Sequence, residues 1–276
     1  MFRFRPGPVI ATLLLVSAPG CVTRIPVMPG DPRTAPVYGY TPLDPIPVNV
    51  TDAQSDSDPQ REALLKALAD ETIRIAIGEL SAAGRLEFGS AKIGVKGRSY
   101  EVVLDYIKFT TQSFPANIAT DDAGIRRATV GDTMKTKVFD AFVPVYVGVG
   151  LRLTASLTVR EGNVDLGNLL GIGAAAQAGR VTGTLVVQTL GISGENITTL
   201  IPVPGRIDDS TIQNAMVALG AIKSKLYEDG TEIVPRVVGV YNTLGGGEQT
   251  INGFISLLFE KPISLNVSSK RLTRAQ

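Results

Sequence analysis

The sequence predicts an α+β fold: a mixed, largely antiparallel sheet with about three helices packed on it, preceded by a Pro-rich linker. Three observations predict it. Runs with apolar residues at every second position fall at residues 100–114, 142–159 and 180–191. Helical spacing behind a capping residue falls at 58–78 and 208–227. In the last third the two periods alternate, which is the pattern of helices laid against a sheet.

The elements follow in chain order. Residues 22–57 contain Pro26, Pro29, Pro32, Pro36, Pro42, Pro45 and Pro47 without a helix or strand period, and read as a linker extending roughly 3.1 Å per residue. Val37, Tyr38, Tyr40, Ile46 and Val48 are more apolar than a spacer needs and suit an arm lying along a neighbouring subunit. Asp58 as N-cap, Pro59 at the first position, Glu62 in the first turn and Leu64, Leu68, Ile73 and Ile77 predict a helix over residues 59–78. Residues 85–95 and 100–114 read as a strand pair about the Gly97 turn, with Tyr100, Val102, Leu104 and Tyr106 on one face and Glu101, Val103, Asp105 and Ile107 on the other.

Residues 116–140 are polar and read by default as a solvated loop, while their cationic cluster, Arg126, Arg127, Lys135 and Lys137, suits phosphate or another anionic envelope group. Residues 142–159 place Val145, Val147, Val149, Leu151 and Leu153 on one strand face, and residues 180–191 form another strand. Between them, residues 164–179 predict a short helix capped by Asp165. Its stripe of Leu166, Leu169, Leu170 and Ile172 must be buried against the body, a neighbouring subunit or lipid. Asp208, Asp209 and Ser210 start a helix running to about Tyr227, followed by a strand over 233–244, a helix over 248–259 and a closing strand over 263–267. Pro235 confines its strand to an edge or a bulge, or to a start one residue later.

Composition removes whole classes of chemistry. The chain has no histidine and one cysteine, so histidine-based triads, zinc knuckles and intrachain disulfides are excluded, and no metal or cofactor is expected. A formal charge of +1 gives no basic field for nucleic acid. No serine has lysine three places later, and Gly191-Ile192-Ser193-Gly194-Glu195 ends in Glu195 where a nucleophile elbow needs glycine. Gly171-Ile172-Gly173-Ala174-Ala175-Ala176 matches a dinucleotide fingerprint, but without the preceding strand that motif requires.

At the N-terminus, Arg3 and Arg5 precede an apolar run over residues 9–18, which is short of the ~20 residues of a membrane-spanning helix. The run leads through Ala18, Pro19 and Gly20 to Cys21. This arrangement resembles the lipobox of bacterial lipoprotein precursors, with Ala18 where that motif usually carries leucine. The resemblance implies removal of residues 1–20 and acylation of Cys21, and Val22 in place of Asp goes with outer-membrane sorting in that family. The expected division is therefore a signal over 1–20, a lipidated Cys21 with tether over 21–57, and a single body over 58–276.

These readings describe a lipid-anchored cell-envelope protein with a non-catalytic binding or scaffolding role, meeting the membrane and an envelope protein or further copies of itself. An alternative is a subunit of an oligomeric outer-membrane pore or secretion channel, since 142–159 and 180–191 are long enough to cross a bilayer. A third is a glycan hydrolase using two carboxylates among Glu79, Glu87, Glu101, Asp105 and Glu161.

Overall fold

The computed structural model describes residues 39–52, 61–89, 92–132, 138–246 and 248–267. Strand covers 51% and helix 22% of it, so the expected α+β class is corrected to a mostly β fold with one large mixed sheet and five helices. The elements in order are β1 (Gly39–Asp52), α1 (Arg61–Ala67), β2 (Asp70–Leu80), β3 (Leu86–Phe88), β4 (Ile93–Val95), β5 (Ser99–Thr120), β6 (Arg126–Val130), β7 (Ala141–Val159) and β8 (Asn163–Asp165). There follow α2 (Leu169–Gln177), β9 (Val181–Leu190), β10 (Ile192–Ser193), α3 (Glu195–Thr198), β11 (Gly205–Arg206), α4 (Asp209–Lys225), β12 (Glu232–Ile233), β13 (Arg236–Asn242), α5 (Glu248–Leu258) and β14 (Ile263–Val267).

The sheet runs β14-β1-β13-β7-β5-β2-β3, with β6 on β5, β9 on β7 and β11 on β9. Every pairing is antiparallel except β1 with β14. Its spine is the β5–β7 ladder, in register from Ser99↔Thr158 to Ala116↔Ala141. The two faces differ sharply. On one, alternate residues of β5 and β7 such as Val102, Leu104, Val147, Leu151 and Leu153 are buried with Ile212, Leu219 and Ile222 of α4 and Phe254 of α5. On the other, a smaller cluster joins Tyr40, Val103, Ile107, Phe109, Tyr146, Leu190 and Val238.

Four sequence expectations are corrected. The helix over 59–78 stops at Ala67, and Asp70–Leu80 is a strand paired with β5. Ile73, Ile75 and Ile77 repeat with period two and are β-branched, which favours a pleated strand over a helix once a partner strand exists. The strand pair about Gly97 does not form: β5 pairs with β2 and β7, β3 with β2, and β4 with β8. The polar stretch is not all loop, because β5 continues to Thr120 and turns into β6. In that turn the Asp121 carboxylate accepts from the backbone N–H groups of Ala123 and Ile125. Finally, residues 39–52 of the expected linker form β1, an interior strand between β13 and β14. Its prolines are compatible with that position because β14 joins only from Val48, beyond Pro47.

Other elements match the periodicity. Asp208 caps α4 in a reciprocal capping box with Thr211. Strand β13 begins at Arg236, one residue after Pro235. The short helix between β7 and β9 forms as α2, but its cap is Asn168, whose side chain accepts from Gly171 N at 3.2 Å, while Asp165 binds Gly167 N.

Because β1 is interior, deleting residues 39–52 should abolish the cooperative thermal transition seen by circular dichroism. A chain starting at Ser57 that melts within a few degrees of the full chain would show that β1 is dispensable.

Candidate functional site

The second face of the sheet is built in cross-strand rows. One row is Ser99 of β5 beside Thr158 of β7 and Thr182 of β9. The next is Gly78 of β2, Glu101, Ser156 and Thr184. Two rows further along come Arg74, Asp105, Arg152 and Gln188. On this face the polar rows alternate with the apolar cluster of Val103, Ile107, Phe109 and Tyr146, and the face is closed at one end and open at the other.

The closed end is organised by Arg152. Its guanidinium donates from Nε to Asp105 Oδ1 at 2.7 Å and from Nη2 to Asp105 Oδ2 at 2.7 Å, a bidentate pair. The same group donates to the carbonyl of Leu43 at 2.7 Å and to that of Val238 at 2.9 Å. Both carbonyls lie where a ladder breaks register: β1 shifts between Pro42 and Ile46, and β13 shifts between Val237 and Gly239. A bulge leaves backbone groups unpaired, and Arg152 satisfies one from each strand.

Tyr40 completes the cluster, donating its phenol to Asp105 Oδ2 at 2.5 Å. Its ring lies over Gly239, where a Cβ would come 2.4 Å from Tyr40 Cε2, so only glycine fits. Tyr146 packs edge-on to both Tyr40 and Phe109, and the Arg74 guanidinium sits 5.6 Å from its ring centre.

Asp105 is fully buried and the Arg152 side chain is 6% exposed. Burial opposes the charge on Arg152, but the hydrogen bonds and charge of Asp105 outweigh it and hold the guanidinium above its ordinary range. Burial, then the charge and hydrogen bond of Asp105, push the Tyr40 phenol well above its ordinary value.

The open end is a groove of about 430 Å³ bounded by Leu80, Leu86, Ser99, Glu101, Ser156, Thr158 and Thr182. The Ser99 and Thr158 hydroxyls are bonded to each other at 2.8 Å, and Thr182 accepts from Arg160 Nε at 3.0 Å. Gly78, opposite Glu101, leaves room for the wall: a Cβ there would come 2.7 Å from Leu86 Cδ1. Glu101 is half-buried at this wall. Burial raises its carboxyl, with Arg152 partly opposing the shift and Asp44 adding to it.

The residues picked out by sequence are dispersed. Cys21, Lys135 and Lys137 lie outside the described residues. Arg126 is turned to the carbonyl of Leu244, and Arg127 is paired with Asp121. Leu166, Leu169 and Ile172 are core residues, and only Leu170 of that stripe is exposed. Gly173 serves helix packing, since a Cβ would come 3.2 Å from Asp209 Cα at the start of α4. Glu101 and Asp105 share a strand face but are four residues apart, roughly 13 Å, and Asp105 is fully engaged. Glu79 is paired with Arg98. Among the described residues no group of three or more His, Cys, Asp or Glu is placed to hold a metal ion.

The sequence reading missed the pairing of Asp105 with Arg152. Its signal was half present: Arg152 is the lone charge in the apolar run of β7, whereas Asp105 shares β5 with Glu101 and Lys108 and is not singled out. Comparison with protein-family models, with curated proteins and with solved structures finds no match.

Breaking a buried pair strands a charge, so Asp105→Asn or Arg152→Met should cost about 3–5 kcal/mol, a fall in Tm of roughly 10 °C. Changing Asp105 to Asn and Arg152 to Met together should cost less than the two single changes summed, and additive losses in denaturant titrations would refute the pairing. Unfolded tyrosine ionises near pH 10 while Tyr40 stays protonated in the fold. From about pH 10 upward only the unfolded state loses that proton, so stability falls as pH rises, and Tyr40→Phe should flatten the fall. The sign for Glu101 is the same: a raised carboxyl favours folding below its ordinary range and loses that contribution as pH rises through the folded value. Glu101→Gln should therefore leave Tm at pH 7 unchanged or higher.

Proposed function

We propose that the chain is a membrane-anchored cell-envelope lipoprotein whose body has a non-catalytic binding role, with the open groove of the second sheet face as its ligand surface. The groove carries this reading. It joins an unshared carboxyl, a row of hydroxyls and an aliphatic wall on a rigid sheet, which suits recognition of a ligand by shape and hydrogen bonding. Among the described residues no lysine or second carboxylate lines the groove to activate its serines.

Attachment rests on the lipobox-like junction at Cys21. Several buried acyl chains, at ~0.8 kcal/mol per methylene, hold a protein at a bilayer without a basic patch, and Val22 favours the outer membrane. Among the described residues no helix is long and apolar enough to cross a membrane. The channel alternative drew on β7 and β9. Val143, Val145, Val147, Leu151, Leu153, Val181 and Leu185 from these strands belong to the monomer's core, and that packing supports the binding body over the channel.

Labelled fatty acid should enter the wild-type chain and be lost in Cys21→Ser, and label persisting in that variant would refute the anchor. A photo-crosslinker placed at Thr182 should capture envelope material in intact cells, and the groove-filling change Ser156→Phe should abolish the capture. Capture undiminished by Ser156→Phe would contradict the groove as the ligand surface.

A further inference from the structure

The groove offers acceptors on its floor and methyl groups on its wall, and that combination selects a chemical class. The Glu101 carboxyl makes no hydrogen bond or ion pair among the described residues, although it is half-buried. Beside it across the ladder stands Ser156, with the Ser99–Thr158 hydroxyl pair one row away. A carboxylate held partly out of water without a partner is more stable once a cation reaches it.

The kind of cation follows from the other groups. A quaternary ammonium calls for aromatic faces, and although Tyr100 borders the groove, it is 3% exposed, its ring belongs to the buried cluster and its hydroxyl accepts from Val95 N at 3.0 Å. A calcium ion takes six to eight oxygen ligands and usually several carboxylates, whereas among the described residues Glu101 is the one carboxyl lining this groove, with Asp44 near enough only to act on its charge. A primary ammonium has three N–H donors on a slim aliphatic stem. Glu101 and the neighbouring hydroxyls match the donors, and Leu80 and Leu86 match the stem.

We propose that the groove binds an alkylammonium group, with Glu101 as its counter-ion, the Ser156 and Ser99 hydroxyls accepting its remaining N–H bonds, and Leu80 and Leu86 packed on its methylenes. The same chemistry is carried by a free linear diamine and by a lysine side chain within a peptide. This inference rests on the groove being the ligand surface, as proposed above.

The test uses the full chain in isothermal titration with pentane-1,5-diamine, pentane-1,5-diol and a capped lysine tripeptide. The diamine should bind and the diol should not, and Glu101→Gln should weaken the diamine roughly tenfold or more by removing a charge-assisted contact. Affinity should also fall as the pH is lowered and Glu101 takes up its proton. A tripeptide binding more tightly than the diamine identifies a peptide source, and the reverse order identifies a free amine.

Equal binding of diol and diamine, or undiminished binding by Glu101→Gln, overturns the proposal. If the diamine fails to bind while Ser156→Phe still abolishes capture at Thr182, the groove serves another ligand class and only this inference falls. If Ser156→Phe also leaves capture intact, the groove reading falls with it.

Discussion

One guanidinium ties four strands of the sheet together. Arg152 stands on the central strand β7 and holds four acceptors at once: both oxygens of Asp105 on β5, the Leu43 carbonyl on β1 and the Val238 carbonyl on β13. A planar fork with five N–H donors can do this, whereas an ammonium is a compact point charge without the fork. The two carbonyls come from bulges, where strand geometry would otherwise leave polar groups buried without partners. The bulges in β1 and β13 and the charge pair in the spine are therefore one structural decision.

The groove is what this arrangement leaves uncovered. Close to Arg152 the second face is filled by Tyr40, Tyr146, Phe109 and Val238. Glycines permit the approach: a Cβ at Gly148 would lie 2.3 Å from Lys108 O, and one at Gly150 would lie 1.9 Å from Tyr106 O. Two rows from the clamp, at Glu101 and Ser156, the hydroxyl-bearing face opens to solvent beside Leu80 and Leu86. The charge of Asp105 is compensated within the cluster, whereas Glu101 makes no hydrogen bond or ion pair among the described residues.

Much of the C-terminal half was legible in the sequence because its signals are local. The Asp208 cap, the spacing of Ile212, Leu219 and Ile222, and the strand that follows Pro235 each need only a few residues of context. The misreadings come from long-range pairing. Ile73 and Ile77 fit a helix by spacing, and only the β5 partner decides for the strand. Pro42, Pro45 and Pro47 read as a linker until β13 and β14 are seen to share β1 between them. The groove was invisible for the same reason: Ser99, Ser156 and Thr182 are far apart in the chain and meet only through ladder register.

The Tyr40–Asp105–Arg152 cluster latches β1 and β13 to the β5–β7 spine. Native-state hydrogen exchange of Tyr40→Phe, resolved by residue, tests this most directly, because the change removes one hydrogen bond to a buried charge, about 1.5–3 kcal/mol, and leaves the ring. Amides of β1 between Thr41 and Val48 and of β13 between Val237 and Asn242 should lose protection, while those of the β5–β7 ladder keep theirs. Protection lost evenly across both groups, or unchanged in β1 and β13, would contradict a latch and place the cluster in the spine's own stability.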